Sequence, residues 1–483
     1  MKNFRPALFV TGWFLAGLAL IMWIPTIYML VLGDEEWRKF LLSSVITLTA
    51  GILLAATNRQ RGGFALVPRQ VFVLTTLIWL MACVFAALPM LLIQQMSYAD
   101  ALFETMSGIT TTGSTVLTGL DHASRGFLLW RSLLQWIGGI GFIAMGVLIL
   151  PFLRVGGMRL FHAESSDRSE KVLPRFESVS KAIVFSYLAL SLACAVAYYF
   201  AGMSVFDAVN HAMTTVATGG FSTYDASMGY FNDTPSILWI AVVFMILGAL
   251  PFVLYVQLLR GSPSAFWKDR QVSGFLGIVL FFGVLLALVN GLVQGRDPAS
   301  ALTASFFNVV SIISTTGFAS EDYSLWGEQA VMVFFYLAFV GGCSGSTSGG
   351  LKVFRLQVAY KMLRRQLDRL VHPHAVFTER YNNREISEDI IRSLISFSFF
   401  FALTIALLAL SLSFVGLDFM TSMTGAITAV CNVGPGLGSV IGPAGNFATL
   451  PDAAKWLLSA GMLLGRLEIM TVLVVITPGF WRG

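Results

Sequence analysis

Long apolar runs recur along this chain, and they restrict it to a membrane more firmly than any other feature of the sequence. The first covers residues 7–32, and about 18 or more apolar residues are enough for a spanning helix. This run is too long for a signal peptide, and no small-residue cleavage site follows it. Charged residues make up only 12% of the chain, against about 25% in soluble domains. We predict ten spans: 7–32, 40–57, 71–93, 126–152, 182–201, 236–259, 274–293, 331 into a broken stretch beyond 339, 394–415 and 453–476.

The basic residues are distributed unevenly between the predicted connections. With the N-terminus in the cytoplasm and the spans alternating in direction, most of the 31 Lys and Arg residues lie on the cytoplasmic side. Cytoplasmic connections of membrane proteins carry such an excess. We therefore expect a multi-pass protein whose N-terminus and C-terminus are both cytoplasmic.

Four shorter apolar segments lie between members of the later span pairs. They begin near Asp100, Asp207, Ala301 and Phe419, and each has about 12 to 14 residues, too few to cross a membrane and typical of re-entrant segments. A single motif of this kind would be an ordinary turn, but four at nearly even spacing indicate an internal repeat. They read ETMSGITTTGS (104–114), HAMTTVATGGF (211–221), NVVSIISTTGF (308–318) and GAITAVCNVGP (425–435).

The repeated unit is a span, a half-helix, an extended loop and a second span. This order predicts an all-α membrane protein of four helix–pore-loop–helix repeats, preceded by two extra transmembrane helices. The predicted boundaries are 1–69 for the two leading helices, then 70–180, 181–270, 271–388 and 389–483 for the repeats.

The composition of the four loops suits a pathway for a cation. A cation that crosses lipid exchanges its water shell for oxygen ligands, which rings of backbone carbonyls supply without net charge. Glycine most easily adopts the backbone angles that aim carbonyls at one axis, and half-helices point their partially negative C-terminal ends the same way. The candidate filter residues are Thr111, Thr112, Gly113, Thr218, Gly219, Gly220, Thr315, Thr316, Gly317, Asn432, Val433 and Gly434.

A run of small residues, GGCSGSTSGG at 341–350, interrupts the eighth predicted span. It lacks the GK[ST] ending of a phosphate-binding loop and follows no soluble strand. It indicates either a flexible intramembrane gate or a small-residue face for helix packing, and we favour the gate because the run has too little side-chain bulk. The candidate gating residues are Gly341, Gly342, Gly345, Ser346, Gly349, Gly350 and Arg466.

Two arginines lie within predicted spans. Arg466 is near the middle of the last one, where a charge is costly and usually faces a cavity. It either repels cations, donates to carbonyls of the glycine-rich run, or pairs with an acid. Arg131 is near the outer end of its span, so we expect its charged end to reach water. The acids after the first three loops form either a cation-attracting mouth or ordinary solvated loops: Asp121, Asp225, Glu321 and Asp322.

Other functions find little support in the sequence. The four cysteines lie far apart and the five histidines show no ligand spacing, so we expect neither a metal centre nor a disulfide framework. The longest polar segment covers only about residues 361–392, which leaves no soluble catalytic or nucleic-acid-binding domain. We therefore do not expect an enzyme.

These features together resemble one transporter group. The four loops, QWIGGIG (135–141), the glycine-rich break and GRLEIM (465–470) are similar to the Trk/Ktr/HKT superfamily of potassium transporters over nearly the whole chain. The two leading helices favour the TrkH family, the membrane subunits of bacterial Trk systems, over the shorter KtrB type. The resemblance implies pseudo-fourfold symmetry, a fold related to potassium channels, and a place in the bacterial inner (plasma) membrane.

The resemblance also implies a function and partners. It implies uptake of K+ through a gated selectivity filter, in which Gly113 favours potassium over sodium. Residues 341–350 match the family's gating loop, and Arg466 matches its latching arginine. Family members are homodimers in the lipid bilayer and dock cytosolic TrkA-type regulatory subunits, which bind the nucleotide. Residues 352–369 are either the docking segment or simply positive-inside charge. The alternative is a sodium or mixed-cation transporter of the same superfamily, with or without proton coupling.

Overall fold

A short helix with an extended loop after it lies between a long preceding helix and a following helix four times along the chain. The computed structural model describes residues 4–59, 66–145, 172–372, 380–382 and 384–482. The predicted all-α class is confirmed, since the one described sheet is a two-stranded hairpin, β1 (Arg380–Tyr381) with β2 (Arg384–Glu385). The end of predicted span 126–152 and most of the basic residues that follow it lie outside the described residues.

The leading helices and the first two repeats occupy the first half of the chain. The helices are α1 (Arg5–Leu32), α2 (Trp37–Thr57), α3 (Pro68–Gln94), α4 (Tyr98–Ile109), α5 (Arg125–Ala144), α6 (Val172–Phe200), α7 (Val205–Val216), α8 (Pro235–Ala249) and α9 (Phe252–Leu259), with short 3-10 turns at Leu120–His122 and Ser227–Phe231.

The third and fourth repeats follow a short connecting helix. The helices are α10 (Ser264–Lys268), α11 (Arg270–Leu288, continued as a π-turn at Val289–Val293), α12 (Pro298–Ile313), α13 (Glu328–Val340), α14 (Val353–Val371), α15 (Glu388–Phe414), α16 (Phe419–Cys431), α17 (Asp452–Arg466), α18 (Met470–Ile476) and α19 (Pro478–Arg482), with a 3-10 turn at Tyr323–Trp326.

The four half-helices α4, α7, α12 and α16 begin in the same way and close to their predicted starts. A side-chain oxygen at each N-cap accepts a backbone N–H of the first turn, which stabilises the start of a helix. Each half-helix then ends where its loop begins, so its partially negative end faces the loops. The capping residues are Ser97, Ser204, Asp297 and Asp418.

The helices that follow the loops differ between repeats, and two of the predicted spans are bent. Span 236–259 is two helices, α8 and α9, at 89°, and span 453–476 is α17 and α18 at 112°. Pro251 explains the first bend, because proline lacks an N–H and pushes Leu250 out of the helical region. The eighth span breaks beyond Phe339 as predicted, since α13 ends at Val340 after 13 residues. In the described chain seven helices are long and apolar enough to cross a membrane, or nine if each bent pair is one span.

The two leading helices pack against each other through small residues. A Cβ on Gly12 would lie 2.6 Å from the carbonyl oxygen of Gly51, and Ser44 Oγ donates to the carbonyl oxygen of Ala19 at 2.9 Å. Such close backbone approach is typical of helix pairs in membranes. This pair packs beside α3 and α5, next to the first repeat.

Candidate functional site

The four loops adopt one backbone conformation. In each, a residue one or two positions after the end of the half-helix has a left-handed φ, and so does the glycine two positions further on. A positive φ is uncommon and costly for residues other than glycine, so its recurrence marks a shared constraint. Thr111, Thr218, Thr315 and Asn432 have φ of 53°, 50°, 58° and 55°. Gly113, Gly220, Gly317 and Gly434 have φ of 90°, 80°, 80° and 113°.

The four glycines interlock in a closed ring. A Cβ placed on each would meet a backbone carbonyl oxygen of the next repeat at less than 3.0 Å, a separation that real Cβ atoms essentially never have. The order runs through the four repeats and returns to the first. The distances from the added Cβ to the carbonyl oxygen are 2.3 Å for Gly113 and Gly219, 1.9 Å for Gly220 and Thr316, 2.1 Å for Gly317 and Val433, and 2.8 Å for Gly434 and Thr112.

All twelve predicted filter residues therefore lie together. We call residues 111–113, 218–220, 315–317 and 432–434 the loop ring. The first and fourth loops are also joined by side chains, since Ser114 Oγ donates to the carbonyl oxygen of Gly434 at 2.7 Å and Asn432 Nδ2 donates to Thr112 Oγ1 at 2.9 Å. The fourth loop, whose sequence diverges, is thus an integral part of the ring.

Side chains follow a twofold pattern within this fourfold backbone. In the first and third loops, two hydroxyls bond each other across one intervening residue: Thr110 with Thr112 and Ser314 with Thr316, both at 2.7 Å. The second and fourth loops carry no hydroxyls at these positions, which are occupied by Ala217, Gly219, Cys431 and Val433.

Helix α5 lies behind the second loop and holds it. Gln135 Nε2 donates to the carbonyl oxygen of Gly219 at 2.6 Å, and Gln135 Oε1 accepts from the backbone N–H of Phe221 at 3.0 Å. These two bonds fix the orientation of the amide. One turn earlier on the same face, Arg131 Nη1 donates to the carbonyl oxygen of Ser222 at 3.1 Å.

The expectation that Arg131 reaches water is wrong. Its side chain is 1% exposed, and Nη2 lies 2.9 Å from Glu104 Oε1 in an ion pair. Glu104 is fully buried and also accepts from the N–H of Val116 at 3.0 Å and from Thr115 Oγ1. A buried carboxylate needs such partners, and here they join α4 and α5 behind the loops.

The glycine-rich run 341–350 lies directly against the loop ring. Thr218 Oγ1 donates to Thr347 Oγ1 at 3.0 Å, and Thr315 Oγ1 bonds Ser348 Oγ at 3.1 Å. Thr315 Oγ1 also accepts from the N–H of Gly349 at 2.7 Å. Two of the four left-handed ring residues therefore hydrogen-bond to this run.

The glycine-rich run is hydrogen-bonded to the bend between α8 and α9. The N–H of Cys343 donates to the carbonyl oxygen of Ala249 at 2.9 Å, and the N–H of Phe252 donates to that of Gly345, also at 2.9 Å. Backbone groups that the bend leaves without helical partners are satisfied in this way. The second and third repeats are thus coupled at the level of the run.

The predicted gating residues give the run a fixed fold. Within it, the N–H of Gly342 donates to Ser348 Oγ at 2.8 Å and Ser346 Oγ donates to the carbonyl oxygen of Cys343 at 2.6 Å. Gly341 and Gly349 pass so closely that a Cβ on Gly341 would lie 2.3 Å from the Gly349 oxygen. The remaining end is tied to the fourth repeat, since the N–H of Gly350 donates to the carbonyl oxygen of Cys431 at 2.9 Å.

Arg466 contacts the run from the fourth repeat. It is fully buried, and its Nη1 donates to the carbonyl oxygen of Thr347 at 3.0 Å. Its guanidinium lies 3.8 Å from the centre of the Phe142 ring, a cation–π contact. The neighbouring acid Glu468 pairs with Arg355 at 2.6 Å. The sequence allows three roles for Arg466: repelling cations, donating to the glycine-rich run and pairing with an acid. The structure contains the second, a hydrogen bond to a carbonyl of the run.

Two further cations are buried beside the run. Lys352 Nζ donates to the carbonyl oxygen of Ser348 and lies 4.8 Å from the centre of the Phe142 ring. Lys352 and Arg355 begin segment 352–369, for which an exposed docking face was one alternative. Both are buried, whereas Tyr360 and several residues beyond it, such as Leu363 and Leu367, are exposed.

Beyond the four glycines, the ring opens into a cavity of about 280 Å³ that Asp225 and Arg131 help to line. The Asp225 carboxylate accepts from the N–H groups of Gly119 at 2.8 Å and Leu120 at 3.1 Å. This joins the segments that follow the first and second loops. Glu321 pairs with Arg296. Both acids hold these segments in place rather than standing free in solvent.

Sequence reasoning identified the ring and the run but missed the residues that hold them. Glu104, Gln135, Thr347 and Lys352 were not among the candidates. One signal was available, because Glu104 is an acid within an otherwise apolar re-entrant segment and such a charge requires a partner.

Comparisons with known proteins match this geometry to a family. The family model for TrkH, a cation transport protein, matches residues 36–479. The Trk system potassium uptake protein TrkI of Halomonas elongata is 54% identical over 100% of this chain and 98% of that protein. The Trk system potassium uptake protein TrkH of Salmonella typhimurium is 38% identical over 99% and 100%. The crystal structure of the potassium transporter TrkH from Vibrio parahaemolyticus matches with a TM-score of 0.92 and 34% identity, covering 100% of both chains. The chain is therefore a multi-pass membrane transporter, and it belongs to the TrkH family of cation transport proteins.

Proposed function

We propose that the protein takes up potassium across a bacterial inner membrane through a selectivity filter formed by the loop ring. The observation that carries the proposal is the closed interlock of Gly113, Gly220, Gly317 and Gly434, in which each repeat approaches a carbonyl of the next. Four equivalent backbones around one centre are what a cation needs to replace its water shell. The identity of the ion, potassium, is taken from the names of the relatives.

The protein parts have distinct roles in this proposal. The ring supplies oxygen ligands without net charge, and the four half-helix ends add a partially negative potential that attracts a cation. The cavity bordered by Asp225 receives the ion before the ring. The membrane potential then drives it toward the cytoplasm.

The glycine-rich run would be the gate. Its bonds to Thr218 and Thr315 support this role, since they lie against the ring. Arg466 and Lys352 would latch it, because both donate to carbonyls of the run. A buried positive charge beside the ion path also opposes occupancy by a cation at rest.

The remaining expectations belong to the same proposal. We propose the division into two leading helices and four repeats at the boundaries given above, with both termini in the cytoplasm. Assembly as a homodimer and regulation by a cytosolic nucleotide-binding TrkA-type subunit are supported by the Trk system named for the relatives. The exposed part of α14 beyond Arg355 is available for such a partner.

Complementation tests the proposal. We would express the chain in bacteria that lack their potassium-uptake systems, with and without a TrkA-type subunit, and follow growth and rubidium uptake at low potassium. We expect rescue by the wild type, and a lower potassium-to-sodium permeability ratio in Gly113→Ser, because its Cβ would meet the carbonyl oxygen of Gly219.

A matched control is Gly277→Ala, since a Cβ at Gly277 meets nothing within 4 Å. This variant should keep wild-type growth and selectivity. Absence of rescue by a wild-type protein that is present in the membrane would reject potassium uptake. Sodium and mixed-cation transport would then be measured directly in liposomes.

A further inference from the structure

We propose that the buried pair of Glu104 and Arg131 is a positioning element that sets ion discrimination by holding the first two loops at a fixed separation. The inference rests on the proposed filter function and assigns a specificity role to residues outside the ring. Its basis is the set of contacts that these two side chains make.

Both side chains of the pair are buried, and their charged groups are engaged in hydrogen bonds. Both Nε and Nη2 of Arg131 lie 2.9 Å from Glu104 Oε1, and the side chains are 1% and 0% exposed. The carboxylate also accepts from Thr115 Oγ1 and from the N–H of Val116, which immediately follow the first loop. Isolated charges at this depth would be expensive, so each depends on the other.

Arg131 also reaches the second loop. Its Nη1 donates to the carbonyl oxygen of Ser222 at 3.1 Å, and its guanidinium lies 4.1 Å from the centre of the Phe221 ring. Phe221 directly follows the ring glycine Gly220. One guanidinium thus joins segments next to the first and the second ring glycines.

In the second and third repeats the equivalent position does the same task without an ion pair, and in the fourth the neighbouring residue does it. Nine residues before the ring glycine, the repeats carry Glu104, His211, Asn308 and Gly425. His211 Nε2 bonds Ser222 Oγ at 3.0 Å, and Asn308 bonds Ser320 through its Nδ2 and its Oδ1. In the fourth repeat the neighbouring Thr424 Oγ1 accepts from the N–H of Leu437 at 3.1 Å.

This recurrence identifies the position as a brace between half-helix and post-loop segment. Only the first repeat, of these four, fills it with a charge and a partner from the next helix. A ring that discriminates between ions of similar radius depends on the positions and field strength of its oxygens. The stiffest brace therefore lies where the first loop meets the second.

The test compares five variants in liposomes by rubidium and sodium flux. They are Glu104→Gln, Arg131→Met, the double variant Glu104→Gln/Arg131→Met, Thr115→Val, and the control Asp100→Asn/Lys455→Met. The control removes another mostly buried pair, Lys455 with Asp100 at 2.5 Å, on the first half-helix but away from the segments after the loops.

Each single variant should lower the rubidium-to-sodium ratio by about tenfold, which corresponds to roughly 1.4 kcal/mol. The double variant should lose less, because no unpaired charge remains. Thr115→Val removes only the hydroxyl between the two side chains and should shift the ratio in the same direction by less. The control should keep the wild-type ratio, and maximal rubidium flux should stay close to wild type throughout.

Wild-type ratios in properly inserted pair variants would overturn the inference, as would an equal shift in the control. If the single variants fail to insert, Thr115→Val decides, and its unchanged ratio would overturn the inference as well. A wild type that carries no rubidium would instead reject the proposed function, so the two failures are distinguishable.

Discussion

The loop ring and the glycine-rich run beside it differ in how the four repeats contribute to them. In the ring, four different sequences adopt one backbone, down to the left-handed residue and the glycine two positions later. Next to it, the helices that follow the loops diverge. The second repeat bends at Pro251, the third is interrupted by ten small residues, and the fourth bends after Arg466.

Under the proposed function, the difference follows from what each part would do. A ring of ligands requires equivalent positions. A change in one loop therefore displaces the next loop, because each ring glycine lies against a carbonyl of the next repeat. A gate needs to block a pathway at only one point. One repeat can therefore supply the blocking segment, and the other repeats can supply the residues that contact it. The second repeat accepts the run at Ala249, and the fourth contacts it through Arg466.

The largest effect should come from breaking the ring. In Gly220→Ala the new Cβ would lie 1.9 Å from the carbonyl oxygen of Thr316, and φ is +80°. Neither the backbone nor the neighbouring repeat can yield without moving the ring, so we expect rubidium uptake to fall to background with near-normal amounts of protein in the membrane.

The same substitution in Gly434 sharpens the comparison. There the Cβ would lie 2.8 Å from the carbonyl oxygen of Thr112, the widest of the four contacts. Gly434→Ala should therefore retain measurable uptake. Equal loss in both variants would mean that the interlock distance does not determine function, and full activity in Gly220→Ala would contradict the ring itself.

A smaller effect, of opposite sign, should come from releasing the run. Arg466→Met removes the donor to the carbonyl oxygen of Thr347 and a buried positive charge. A hydrogen bond from a charged group contributes about 1.5–3 kcal/mol, so resting flux should rise by about tenfold or more. Selectivity should stay unchanged, because the ring is not altered.

Flux in proteoliposomes without the regulatory subunit measures this. Arg392→Met is the matched control, since Arg392 is 76% exposed and pairs only weakly with Glu388 at 3.4 Å. Its flux should equal that of the wild type. A decrease in Arg466→Met, in protein that inserts normally, would assign the arginine to structure rather than to gating.

The ring was predictable from sequence because repetition carries its own signal. Four motifs at similar spacing fix the positions of Gly113 and its equivalents, whatever the surrounding packing. Arg131 could not be placed in this way. Its span is apolar on most faces, so position along the helix does not indicate which side faces the core, and its partner Glu104 is 27 residues away in another helix.

The bends were missed for a related reason. Hydropathy measures length and composition, and both 236–259 and 453–476 satisfy it whether straight or bent. Pro251 was a visible warning of a bend. The bend after Arg466 contains no proline; its left-handed residue is Glu468, at φ 55°. The pairing of Glu468 with Arg355 of α14 accompanies that bend, and a tertiary contact of this kind has no signature in local sequence.

The smallest effect should come from the hydroxyl that links the two regions. Thr347 Oγ1 accepts from Thr218 in the ring and donates to the carbonyl oxygen of Gly248 at 2.9 Å. Thr347→Val keeps the shape and removes the hydroxyl. Thr218 Oγ1 still has the carbonyl oxygen of Ala217 as an acceptor at 2.7 Å, so the net loss is about one neutral hydrogen bond, or about 1 kcal/mol. We expect resting flux to rise by only about fivefold, with the ion ratio unchanged, when measured beside Arg466→Met. If the ion ratio changes instead, the run and the ring act as one unit, and the division between a repeated filter and a single gate does not hold.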